Sequence, residues 1–389
     1  MLGETTIALI ILALLLAVLA AVSRIRPFFL LVVGKDDMRE SALDGLRGLL
    51  ALSVFAHHCV AVRSLSENGG WSGTDEHLAN LMGQGAVAVF FMISAYLFLG
   101  KIFASGGRLN VSRFVWGRVT RLAPLYLFAV LLALVVVAVL SRFELRVSFL
   151  ELAKTLPAWF GFGFMQRLDL NAVAFSRLMI SPVWSLRYEW ILYALLPVAA
   201  WSLRHGAQPY HIIAGFFVLG LFNPWYCYFG LGGLAYLIQQ RRLVTIGHAG
   251  TIAAVIALTA AAFVSRSAVA PPVIALFFVV FVLSLTSPPF ASLLSSRALV
   301  LAGHASYSIY LLHFPVLFAL SFGLLGPSTI ASMSDPVFLG TMVLAGIAML
   351  AISFAAYLSI ERPGMEFRRP PRPEINSRAT SQNREMTVD

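Results

Sequence analysis

The sequence predicts an all-α polytopic membrane protein, and three observations carry that prediction. Of 389 residues, 59% are hydrophobic and 12% charged, with a mean hydropathy of +0.84, more apolar surface than one water-soluble core can hide. Apolar stretches near the length of a bilayer crossing recur from end to end, eleven in all. The Lys and Arg residues behind the net charge of +10 are scattered between those stretches, which suits span orientation and not nucleic-acid binding.

In chain order the stretches run 5–23, 45–62, 83–100, 121–140, 182–202, 210–222, 223–240, 249–265, 269–286, 299–321 and 337–359, the sixth being short for a span. The first begins MLGETT, with Glu4 and no basic n-region, and Arg24, Arg26, Lys35 and Arg39 follow it. It reads as an uncleaved anchor with its N-terminus outside, the small residues Ala20 and Ala21 leaving cleavage open. Lys101, Arg108, Arg113, Arg118 and Arg121 crowd the link between the third and fourth stretches. Arg241 and Arg242 follow the seventh, and Arg368, Arg369 and Arg372 lie in the tail. Alternating spans place all of these on one side, which the positive-inside rule makes cytoplasmic, together with the C-terminus.

Residues 141–181 combine both charge signs, aromatics, Gly161 and Gly163 into the longest outer loop, placed to cap a site. The chain therefore divides into an anchor and basic linker at 1–39, a membrane domain at 40–363 and a disordered tail at 364–389. Cys59 and Cys227 both sit in apolar stretches, so neither a disulfide nor a thiolate metal site is expected. Neither a nucleotide-binding glycine pattern nor a metal-ligand spacing is present, and no bound cofactor or metal is expected.

The run LDGLRGLLALSVFAHH, Leu43 to His58, places an Asp, an Arg and two His in or at the mouth of one apolar helix, where ionisable groups are costly. Arg47 and His58 are eleven residues apart and fall within about 20° of one helical face. At about 1.5 Å per residue, His58 and His313 each lie about 20 Å from the cytoplasmic end of their helices. With Ser181 as N-cap and Pro182 at the first helical position, Glu189 lies about 10 Å below the outer surface, a similar level. An imidazole beside a carboxylate is suited to taking a proton from an alcohol. Ser185, Glu189 and Tyr193 share one helical face, and Ser306, Tyr310 and His313 share another.

Arg118 and Arg121, three apart with Pro124 just beyond, suit phosphate oxygens, and Arg47 at the same mouth completes a polyphosphate cradle. Plainer uses compete. A basic cluster beside a span also serves as a topology signal and lipid contact. A membrane His also serves structural hydrogen bonding, which is the better reading for His57, rotated about 100° from His58. Asp44 fits a helix cap paired with Arg47 as well as a substrate contact.

These residues together resemble the acyltransferase 3 family of polytopic membrane acyltransferases, from about Leu43 to Pro363. LDGLRG with a His eleven residues after its Arg, VAVFFMIS at Val87 to Ser94 and RFVWGRVTRLAP are similar to three of its motifs. PVWSLRYEWILYALLP at Pro182 to Pro197, SYSIYLLHFPV at Ser306 to Val316 and IERP at Ile360 to Pro363 are similar to three more. The resemblance implies a ten-helix core, to which the first span is an addition. It implies acyl-CoA, commonly acetyl-CoA, as cytoplasmic co-substrate and a hydroxyl of a sugar, glycolipid or surface polysaccharide as acceptor. Carried over by motif, His58 and Glu189 are the catalytic candidates and Arg47, Arg118 and Arg121 the acyl-CoA ligands. Asp44, Ser185, Arg187, Tyr193, Tyr310 and His313 are the supporting or acceptor-side candidates.

The chain departs from the family pattern at Ala95, where Gly usually follows the Ser, at Gly117, which replaces one of a basic pair, and at Arg187, where the position is usually small. Arg187 suits either a pairing with Glu189 or an anionic acceptor. No extracytoplasmic hydrolase-like domain, as some relatives carry, is visible here, so the membrane part is expected to act alone or with a separate partner. The implied setting is a bacterial-type inner membrane, His58 acting as general base or taking the acyl group itself. The rival from another class is a proton-coupled transporter or flippase of a glycolipid or anionic solute, with His and Glu as a proton relay.

Overall fold

The computed structural model describes residues 2–34, 41–70, 76–241 and 246–366, which form helices, turns and loops with no strand among them. Arg242, Lys35, Arg39 and most of the proposed tail lie outside the described residues. The helices are α1 (Glu4–Val22), α2 (Arg26–Val33), α3 (Ser41–Asn68), α4 (His77–Ala104), α5 (Val111–Leu140), α6 (Phe149–Trp159) and α7 (Trp184–Arg204). They continue with α8 (Pro209–Phe222), α9 (Trp225–Gln240), α10 (His248–Val264), α11 (Pro271–Thr286) and α12 (Pro288–Leu294). The last are α13 (Arg297–His304), α14 (Ser306–Phe318), α15 (Pro327–Ser332), α16 (Asp335–Ala356) and α17 (Arg362–Glu366).

Each of the eleven apolar stretches falls on helix, but they are not eleven equal spans. Among the described residues six helical segments are long and apolar enough to cross a membrane: α1, α3, α4, α5, Ser306–Leu325 and Asp335–Glu366. A seventh is α11 with α12, bent by 92°. Helices α8 and α10 are apolar but short, and α7 carries Arg187, Glu189 and Arg204 within 21 residues. The tenth stretch breaks at Ala305 into α13 and α14. The fourth stretch starts earlier than its apolar bound at 121: α5 begins at Val111, where the Asn110 side chain caps it by accepting from the Arg113 amide at 2.9 Å. Arg118 and Arg121 are helical and three apart, as their expected sharing of one helical face requires, and Pro124 lies inside the same helix.

Helix α3 lies between two apolar clusters. One joins it to α4, α5, α7, α9 and α14, the other to α1, α13 and α16. The first helix is thus a packed member of the bundle and not a distant tether. Its Leu15 fills the space over Gly346 of α16, and the Glu4 and Thr5 amides donate to the Glu76 carboxylate at 3.0 and 2.7 Å. Arg63 of α3 and the Leu2 amide both reach Asp335 at the start of α16, at 2.8 and 2.6 Å.

The contacts of α3 with α13 and with the end of α12 are closer than side chains permit. A Cβ at Gly45 would stand 1.7 Å from the carbonyl oxygen of Leu294, the last residue of α12, one at Gly48 2.3 Å from that of Leu299 in α13, and one at Gly303 of α13 1.9 Å from that of Asp44. The glycines of LDGLRG are there for this approach. Ala95 is accommodated by a similar fit: its Cβ faces Gly232 of α9, where an added Cβ would lie 2.9 Å away.

Gly48→Val is expected to separate α3 from α13 at a cost of about 1–3 kcal/mol. A lowered melting temperature of the purified protein in detergent checks it, and an unchanged one contradicts the contact.

Candidate functional site

Two chambers lie toward opposite ends of α3 and α4. The first, about 290 Å³, is lined by Arg47, Lys101, Arg118 and Arg121 at one end and by Ser94, Ser185, Glu189, Tyr193, Ser306 and Tyr310 deeper in. The second, about 520 Å³, is lined by His57, His58, Asn80, Gln84, Ser181, Trp184 and Trp225. Lys101 and Asn80 are 21 residues apart on α4, roughly 30 Å of helix. Val87 and Tyr310 line both chambers and form a shared wall.

The first chamber gathers all three proposed acyl-CoA ligands. Helix α3 brings Arg47, whose guanidinium is held 3.1 Å from Asp44, one turn back. Asp44 therefore takes the helix-local pairing anticipated for it. Helix α5 brings Arg121 and Arg118, the latter lying 4.8 Å over the Phe98 ring, while its buried Nε makes no hydrogen bond. Fixed by ring contacts, the Arg118 head keeps donors for a ligand. The whole of one expected stripe lines this space, Ser185, Glu189 and Tyr193 from α7, and two members of the other, Ser306 and Tyr310 from α14; His313 does not. Tyr310 Oη lies 2.9 Å from both Ser185 Oγ and the Pro182 carbonyl oxygen, which locks the wall.

His58 and Glu189 do not meet. Glu189 accepts from Ser94 Oγ at 2.9 Å and faces the arginine chamber, while His58 faces the other. The partner at the depth of His58 is His313, whose Nε2 lies 3.0 Å from His58 Nδ1. The two imidazoles meet, as their equal counts along α3 and the tenth stretch allow, whereas the carboxylate faces the other chamber. The expected start of α7 is also corrected. Ser181 and Pro182 belong to a 3₁₀ segment, Ser176–Val183, and α7 begins at Trp184 with no side-chain cap from Ser181.

The carbonyls around the imidazoles fix their tautomers. His313 Nδ1 faces the Ile309 carbonyl oxygen at 3.2 Å and must carry a proton, which leaves Nε2 as acceptor. His58 Nδ1 faces both that Nε2 and the Val54 carbonyl oxygen, at 2.9 Å, so it is the donor. The lone pair of His58 then resides on Nε2, and the half-buried ring lines the second chamber. His57 is the structural residue anticipated: its Nδ1 donates to the Ala79 carbonyl of α4 at 2.8 Å, and its ring packs over Gly83.

Arg187 does not pair with Glu189. It lies 5.0 Å over the Tyr188 ring, donates to the Tyr188 hydroxyl at 3.3 Å and lines a pocket under the long loop. That loop is folded: Trp159 is fully buried, and its carbonyl accepts from Tyr126 Oη at 2.6 Å. Sequence reasoning assigned no role to Ser94, Arg167 or Glu361. Glu361 is 1% exposed and accepts from Ser308 Oγ at 2.8 Å, within electrostatic reach of Arg121 and Arg47. A carboxylate at the end of an apolar span was its signal, read only as a closing motif. Among the described residues no cluster of His, Cys, Asp and Glu has the make-up of a metal site.

The profile of the acyltransferase 3 family, described as an acyltransferase domain, matches residues 40–358. Curated relatives include the O-acetyltransferase OatA of Staphylococcus aureus strains NCTC 8325 / PS 47, COL and MRSA252. Each is 24% identical over 324 residues, covering 71% of this chain and 50% of the relative. The chain thus spans about half the length of these relatives. No solved structure matches.

In lipid-embedded protein labelled with ¹⁵N-histidine, solid-state NMR is expected to show His58 and His313 both protonated at Nδ1 and not at Nε2. A proton on His58 Nε2 contradicts the order of donors and acceptors described above.

Proposed function

The chain belongs to the acyltransferase 3 family, and from that premise we propose a membrane O-acetyltransferase with donor and acceptor held in separate chambers. The observation that carries the proposal is the convergence of Arg47, Lys101, Arg118 and Arg121 on one chamber whose inner wall is shared with that of His58. In this reading the guanidinium groups take the phosphates of acyl-CoA, and that mouth is the cytoplasmic one. The acyl arm passes between Val87 and Tyr310, along the Arg47 to His58 stripe, roughly 16 Å of helix. The acceptor, a hydroxyl of a cell-surface sugar or glycolipid, sits in the histidine chamber.

His58 Nε2 takes the hydroxyl proton as the oxygen attacks the thioester carbonyl carbon. The C–S bond then breaks, the O-ester remains on the acceptor, and the thiolate takes the proton from His58 Nε2 and leaves as the CoA thiol, returning the ring to its neutral form. While His58 is an imidazolium, its Nδ1–H donates to the Val54 carbonyl and His313 Nε2, which stabilise the charge and hold the ring in place. His313 is a positioning residue in this scheme, in the role expected for a carboxylate. Glu189, held to Ser94, balances the arginine charge where the chamber narrows. Attack by His58 itself uses the same lone pair; the general-base route is preferred because it needs no covalent intermediate in a buried chamber.

His58→Ala is expected to reduce transfer about 10²–10⁴-fold with CoA affinity retained. Arg118→Ala is expected to weaken CoA binding with a smaller effect on the transfer step. Vesicles containing the protein, incubated with radiolabelled acetyl-CoA and surface carbohydrate, provide the measurement. Normal turnover in His58→Ala ends the proposal, and unlabelled carbohydrate with solute movement favours a transporter.

A further inference from the structure

Under the long loop, a pocket of about 480 Å³ adjoins the histidine chamber, with Ser181 and Trp184 lining both. Three of its lining residues are Arg167, Arg177 and Arg187. We propose that this pocket binds an anionic group of the acceptor carbohydrate, a carboxylate or a phosphate, through Arg167 and Arg187. The proposal rests on the acyl-transfer reading above and names the class of acceptor.

The charges in the pocket are unbalanced in a particular way. Asp169 is committed to Arg177, 2.5 Å away, and to the Phe175 and Arg177 amides. Arg187 spends one nitrogen on the neutral Tyr188 hydroxyl, and Arg167 buries Nη1 with no hydrogen-bond partner at all. Neither has a carboxylate partner among the described residues. Burial pulls the Arg167 guanidinium below its ordinary affinity for protons, and the nearby Arg187 charge adds to this, yet an arginine stays charged. A buried guanidinium nitrogen without an acceptor is costly unless something supplies one. Two forks of fixed geometry facing one pocket match a carboxylate or phosphate and not a neutral hydroxyl.

Position supports the same ligand. Arg167 lies within electrostatic reach of Tyr310, which lines the histidine chamber, and Trp184 and Ser181 are shared with it. An acid group held here leaves the rest of a sugar ring facing His58. The unusual Arg187, in a position the family pattern keeps small, then marks a preference of this chain for acidic acceptors.

The test uses the full chain in phosphatidylcholine nanodiscs and measures binding of tetragalacturonate against its methyl ester, and of phosphorylated maltotetraose against maltotetraose. At least one acid form is expected to bind about tenfold or more tightly than its neutral partner. Arg167→Gln and Arg187→Gln are expected to erase the difference, and Arg167→Lys, which keeps the charge, to retain part of it. Equal binding of acid and neutral forms by a protein that still binds CoA overturns the acceptor site. Absence of CoA binding overturns the transfer reading beneath it. Loss of the acid preference when phosphatidylglycerol replaces phosphatidylcholine assigns the pocket to a lipid headgroup and overturns the carbohydrate assignment.

Discussion

The close packing of α3 on α13 is the constraint on which the remaining geometry depends. Gly48 and Gly303 let the two backbones touch, Gly45 admits the end of α12 beside them, and α14 continues from α13 after the break at Ala305. His58 lies three turns along α3 from this contact, and His313 lies a comparable distance along α14. A shift of α3 by the width of one methyl group is comparable with the slack in a 3.0 Å bond between two rings. The glycines thus act on the chemistry from the far end of the helix. The close approach also explains why Arg47 and Glu361, from opposite ends of the chain, come within electrostatic reach of each other.

Ionisable groups inside an apolar bundle need local partners, and the two chambers meet that need differently. The arginine chamber holds an excess of cations against Glu189, Glu361 and Asp44, and its guanidinium groups lean on rings such as Phe98. That suits a polyanion that comes and goes. Among the described residues the histidine chamber has no carboxylate in its lining; its polar groups are imidazoles, amides, indoles and the hydroxyls of Ser181 and Tyr310. His58 is held there by a carbonyl and a second imidazole, groups that orient the ring without drawing a permanent positive charge onto it. A neutral ring held in one orientation is the form that the proposed general base requires.

The sequence resolves what helical period and charge can encode. All eleven apolar stretches fall on helix, Arg47 and His58 lie on one continuous helix, and five of the six residues of the two polar stripes line a common chamber, His313 being the exception. Glu189 was counted from a cap at Ser181 that the 3₁₀ segment replaces. Equal depth is also a weak condition: two residues at one level of a bundle still face different ways. His313 was counted to the right level, but its contact with His58 depends on the α3–α13 approach, which arises from glycines whose value appears only when the facing backbone is known. Arg167 lay in a loop without period, where sequence spacing says nothing about which side chains converge.

The wall between the chambers ties these parts together. Tyr310 is anchored by Ser185 of α7 and by the carbonyl of Pro182, the residue next to Ser181, which lines the loop pocket. Any displacement of the 3₁₀ segment moves an acceptor of the Tyr310 hydroxyl, and Tyr310 stands where the proposed acyl arm crosses. An acceptor pressing on Ser181 and Trp184 therefore bears on the same side chain that separates it from the donor. The interdependence follows from two hydrogen bonds on one phenol and requires no motion of whole helices.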